Sequence, residues 1–228
     1  MSVDTTRREF GTGPLARAAA LIHTLLTAEL LFLLCAAPGL TVLVLVGRDA
    51  SNLPLAAACA LPLGPAFSAV LGAVHHRGTD LADLRPARAF WRSYRQSLPG
   101  VLGVCLPPLA WCTVLALNIA HLGAAGLPGW WLVPLTLVLV TAAVWGVNAL
   151  VIHALFAFRL RDVARLAGYY LTRTPSVSLG VACLLAVAVS LTARWSEAVP
   201  MLLVPVFALA LLRISRPMIA DLRKEFIA

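Results

Sequence analysis

Apolar residues and arginine divide this chain between them. Six apolar runs, at about 18–46, 53–76, 98–122, 130–158, 176–193 and 198–214, alternate with short stretches that hold nearly all the charge. A helix needs about 20 residues to cross a hydrocarbon core about 30 Å thick, so each run reads as a membrane span. Composition points the same way. Of 228 residues, 61% are hydrophobic and 12% charged, whereas a soluble domain carries about 25% charged residues. That is too little charge for a surface facing water. The expected fold is an all-α polytopic membrane protein of about six transmembrane helices. A single membrane domain at 18–214 follows a lead-in at 1–17 and precedes a polar tail at 215–228.

Placement of the basic residues orients the spans. Sixteen of the 18 fall on one side of an alternating topology, in the lead-in, two basic segments and the tail. The other two, Arg48 and Arg194, each lie near an acid, Asp49 and Glu197. Basic loops stay in the cytoplasm, so both termini are expected there. Trp130, Trp131 and Trp195 then fall at the outer interface, where aromatic belts form. Arg7, Arg8 and Arg17 ahead of an apolar run resemble the start of a signal peptide. The run continues past an h-region, however, and Phe32, Leu33 and Leu34 before Cys35 are too bulky for lipoprotein cleavage. The first span is expected to remain.

The first basic segment carries two stripes at helical spacing. Leu84, Ala87, Trp91, Tyr94 and Leu98 form one, and Arg85, Arg88, Arg92 and Arg95 the other. An apolar, aromatic face beside a row of guanidinium groups fits a helix lying in the membrane–water interface. A second basic segment, 159–174, reads as its counterpart. Tyr94-x4-Pro99 and Tyr170-x4-Pro175 echo one another, each leading into a span with a Gly-Val pair (Gly103-Val104, Gly180-Val181). The echo is either a parallel repeat of span, interfacial helix and span, or the ordinary use of proline at a span entry.

Several of these stretches together resemble the YesL-like family of bacterial integral membrane proteins. They are Gly13-Pro14, Leu34-Cys35-Ala36-Ala37-Pro38, Gly64-Pro65-Ala66 and Phe90-Trp91-Arg92-Ser93-Tyr94. The likeness covers most of the first 110 residues and, more loosely, 155–177. The chain departs from it in the roughly 25 residues between Pro38 and Gly64, and in having Glu29 where members often have Asn. The resemblance implies a polytopic protein associated with carbohydrate uptake, and it brings no catalytic residues with it.

Residues able to carry chemistry are few. Glu29 is the one acid inside a span, 12 residues past Arg17, or about 18 Å along a helix. Asn148 lies at matching depth from Arg159. An ionisable group at the midplane is costly unless neutral or partnered, so the expectation is a neutral acid donating to the amide oxygen of Asn148. The competing reading is a polar pair that serves packing alone. His23 and His153 share a depth, but each reads more readily as a local hydrogen-bonding residue; His75, His76 and His121 read as interfacial. Cys35, Cys59, Cys105, Cys112 and Cys183 all sit in apolar runs without a CxxC pair, so they read as small hydrophobes, and neither metal nor cofactor is expected. No HExxH, P-loop or Gly-rich nucleotide fingerprint occurs. The net charge of +8 is accounted for by orientation and by anionic lipid headgroups, which leaves no reason to invoke nucleic acid.

Three functions remain. One is a non-enzymatic accessory or regulatory partner of a carbohydrate-uptake system, docking a permease or ATPase through its basic helices. Another is a small secondary transporter that uses Glu29 and its proline-broken spans. A membrane enzyme, the third, would need a polar cluster that the sequence lacks.

Overall fold

The computed structural model describes residues 14–45, 49–76, 86–156, 158–196 and 198–226. All regular structure among them is helical. In chain order the helices are α1 (Pro14–Leu45), α2 (Leu53–Ala60), α3 (Leu63–His76), α4 (Pro86–Ala120), α5 (Leu132–Leu155), α6 (Leu160–Arg173), α7 (Pro175–Arg194), α8 (Ala198–Leu202), α9 (Val204–Ile214) and α10 (Arg216–Phe226). Most of the lead-in, Arg48, Arg85 and Glu197 lie outside the described residues.

Among the described residues, four stretches are long and apolar enough to cross a membrane: Leu21–Leu43, Phe90–Ala120, Gly129–Leu155 and Pro175–Arg194. A fifth is formed by α2 and α3 taken together, bent by 43° at Leu61 and Pro62. Pro62 has no N–H to donate, Gly64 adds little helix propensity, and Pro65 would clash with the carbonyl four residues back. The run at 198–214 is not one helix. Pro200 and Pro205 flank a turn at Leu203, leaving five residues in α8 and eleven in α9. Eleven helical residues reach only about 16 Å.

Among the described residues, the interfacial helix expected ahead of the third span is not a separate element. Residues 86–97 are the opening turns of α4, a single helix of 35 residues that runs through Pro99, Pro107 and Pro108. Each proline removes one backbone hydrogen bond, and the helix continues because α3 and α5 pack along its sides. Likewise α1 passes through Pro38 to Leu45, and the Thr41 hydroxyl donates to the Pro38 carbonyl at 2.8 Å.

The core is built around α3, which packs on α1, α4, α5 and α9. Residues 65, 66 and 68–73 are all buried, as expected of a helix enclosed on every side. Small residues permit this. A Cβ on Gly64 would lie 3.0 Å from Cys105 Sγ, and one on Gly72 would lie 2.8 Å from Ser93 Oγ. Gly64, Ser68 and Gly72 recur every four residues, the small-xxx-small spacing that lets two helix backbones approach closely.

The basic elements gather at one end. There the first turns of α4 meet the last turn of α5, with His153 seated against Gly100. Leu160 of α6 packs over Gly103, and Arg223 of α10 bonds to His75 at the end of α3. Helix α6 buries Val163, Ala167 and Tyr170 and leaves Arg161, Arg165 and Arg173 exposed. Trp145 Nε1 donates to the Ala164 carbonyl at 3.1 Å, holding α6 to α5. At the opposite end Trp130 stacks on Trp131 with centroids 4.8 Å apart, and Gly126 takes φ +66° in the connecting turn, a conformation that costs other residues more.

The two halves of the Tyr-x4-Pro echo differ. Pro99 sits inside continuous α4, whereas the second copy breaks at Thr174, which leaves the helical region at φ −122° and ψ 74°, before Pro175 opens α7. A residue preceding proline is pushed out of the helical region. In the first copy, helix packing overrides that preference.

Candidate functional site

Two regions hold the side chains able to bind or react. At the start of α4, Arg88, Arg92 and Arg95 are all exposed. The apolar line beside them is shifted from the expected one. Phe90 is fully buried while Trp91 keeps 38% of its surface, so the buried line passes through Phe90, Tyr94 and Val101. Phe90 stacks on Tyr94 at 6.2 Å, and Trp91 meets Tyr94 edge-on at 5.7 Å. With its ring braced from below, Trp91 stands among the arginines. Trp91, Arg92, Arg95 and Gln96 border a shallow hollow. Tyr94 is half-buried, a support for Trp91 more than a contact surface.

The second region lies in the core beside the α2–α3 break. A cavity of about 520 Å³ opens there, lined by apolar side chains that include Phe32, Phe67, Val147, Leu184 and Phe207. Glu29 is one turn from Phe32, and Asn148 adjoins Val147. The hydrogen bond expected between Glu29 and Asn148 is not formed. Both carboxyl oxygens of Glu29 are shielded without a partner, and so are both amide atoms of fully buried Asn148. Matching depth along two helices does not set their azimuth, and α1 makes its main contacts with α2, α3, α4 and α9 instead of α5. The Ser68 hydroxyl, inside α3, is also buried and unpaired. The Gly64-x3-Ser68-x3-Gly72 spacing was the available signal for Ser68 and the close α3–α4 approach, obscured by the prolines around it.

The histidines stay apart. His23 is exposed near the start of α1, His153 is packed on Gly100, and His121 bonds to the Leu117 carbonyl at 2.9 Å. All five cysteines are free thiols, and Cys183 is exposed, in contrast to the other four. Among the described residues no group of three or more His, Cys, Asp or Glu is placed to hold a metal ion. No protein-family model matches the chain, and neither a curated protein nor a solved structure matches it.

Proposed function

We propose that this chain is a non-enzymatic, multi-pass protein of a bacterial plasma membrane that acts as an accessory or regulatory component of carbohydrate uptake. Both termini lie in the cytoplasm, and α8 with α9 completes a sixth crossing. In this reading the start of α4 docks a transporter permease or ATPase, or anionic headgroups near it. One observation carries the proposal. Three exposed guanidinium groups and a braced tryptophan sit on the same continuous helix that crosses the membrane, so whatever binds them is coupled to the bundle. Each such residue near an anionic surface contributes about 1 kcal/mol. The YesL-like resemblance supplies the link to carbohydrate uptake. The test is a pull-down from native membranes with Arg88, Arg92 and Arg95 changed to Gln. A sugar permease or ATPase should copurify with the parent and be lost from the variant at equal membrane abundance. Undiminished copurification would leave the ladder as a topology signal alone.

The broken α2–α3 span favours a second reading, a small secondary transporter. Discontinuous helices beside a midplane cavity form the binding sites of many transporters, and Glu29 would then carry the proton. Substrate-driven proton movement in proteoliposomes, abolished by Glu29→Gln, would support it.

A further inference from the structure

The basic end of the bundle contains a groove of about 730 Å³ between the first turns of α1, the ends of α3 and α9, and α10. Its sides differ in chemistry. Leu21, Val74 and Leu212 form an apolar wall, and Arg213, Arg216 and Arg223 supply three guanidinium groups. Helix geometry assembles them. Positions 216, 219, 220 and 223 share one face of α10, while Arg213 comes from the last turn of α9. Among the described residues, Arg213 and Arg216 have no ion-pair partner. Arg223 donates to His75 Nε2 at 3.1 Å, and that acceptor carries no negative charge. The acids of α10 are elsewhere. Asp221 and Glu225 act on Tyr170 of α6, on the side of α10 away from the arginines.

Three cations in one hollow, with no acid paired to them among the described residues, repel each other and favour an anion. Planar guanidinium forks match phosphate oxygens two at a time. The apolar wall narrows the choice among phosphates. Leu209 of α9 also lines the groove, one turn from Arg213, and Val206 continues that face of the helix at 57% exposure. From Arg213 to Val206 that face runs about 10 Å, within the half of a hydrocarbon core, about 15 Å, that one leaflet fills.

We propose that the groove binds an anionic phospholipid, with Arg213, Arg216 and Arg223 on the phosphate oxygens and an acyl chain along Leu209 and Val206 of α9. The lipid joins α1, α3, α9 and α10 at their common end. Basic pockets between helices at a cytoplasmic membrane face are suited to such headgroups. The proposal rests on the membrane placement given above and is independent of the α4 ladder. A soluble phosphate ester shares the headgroup chemistry but has no use for the apolar wall.

The experiment is native mass spectrometry of the full chain in neutral detergent, with phosphatidylglycerol and phosphatidylcholine supplied in equal amounts. The parent should retain one phosphatidylglycerol with a preference of about tenfold. Changing Arg213, Arg216 and Arg223 to Gln should erase the preference, and changing Arg88, Arg92 and Arg95 should not. Ala220→Trp keeps every charge but fills the groove, and it should erase the preference as well. Millimolar inorganic phosphate should fail to displace the lipid. Retention of the preference by the triple or Ala220 variant would overturn the proposal, and so would displacement by phosphate, which would assign the groove to a soluble ester. Failure of the membrane placement looks different, because the chain would then leave the membrane in an alkaline wash without detergent.

Discussion

The guanidinium of Arg223 reaches Nε2 of His75 at 3.1 Å, across 148 residues of sequence. This bond ties the last helix of the chain to the end of its central one. Hydrogen bonds from charged donors contribute about 1.5–3 kcal/mol when shielded, and less where water competes. Replacing His75 with Leu removes the acceptor while keeping an apolar surface for α10. Amide exchange across 216–226 should then quicken while α3 stays protected. Unchanged exchange in the tail would mean that Met218, Ile219 and Leu222, all buried, hold α10 without help.

Glu29 and Asn148 are buried polar groups that do not meet. A shielded, unpaired polar group costs about 1–3 kcal/mol. Glu29→Leu and Asn148→Leu should therefore each raise the unfolding temperature in detergent, and their effects should add to within about 0.5 kcal/mol. A coupling well above that figure in the double-mutant cycle would restore the direct pair.

Tyr170 gives a pH signature. Burial first, then the carboxylates of Glu225 and Asp221, push its phenol above the ordinary value, with Arg173 pulling the other way. An unfolded tyrosine ionises near pH ~10, while the folded one keeps its proton. Above that pH the unfolded state binds fewer protons than the native state, so stability falls as pH rises. The contribution of Tyr170 is fully present below the unfolded value and is lost as pH climbs through the raised folded one. As pH rises above about 10, the parent should lose thermal stability more steeply than Tyr170→Phe. Equal slopes would show that the phenol is as free to ionise folded as unfolded.

Features that depend on local pattern were legible in the sequence. Hydropathy located the first five apolar runs, and the break at Leu61 and Pro62 followed from three helix-disfavouring residues in close succession. The basic segment at 159–174 coincides with α6, Leu160–Arg173. Features that depend on which neighbour arrives were not legible. Pro99 reads as a helix start, yet α3 and α5 flank α4 and carry the helix through it. Trp91 and Phe90 both suit an apolar stripe, and only the direction of approach selects Phe90 for burial. Glu29 and Asn148 matched in depth, which is one coordinate of two. The groove formed by Arg213, Arg216 and Arg223 needed the turn at Ser215 to bring α9 and α10 together. In sequence those arginines looked like another cytoplasmic tail.

The central claim is a membrane bundle with its basic end inside the cell. Single cysteines in a background lacking the five native ones test it most directly, with a membrane-impermeant thiol reagent applied to intact cells. Ser51→Cys and Ala124→Cys sit at exposed positions of the tryptophan-bearing end, and Thr172→Cys and Lys224→Cys at exposed positions of the basic end. The account predicts labelling of the first two in intact cells and of the second two only after the membrane is opened. Labelling of Thr172→Cys or Lys224→Cys from outside, with Ser51→Cys and Ala124→Cys protected, would contradict it.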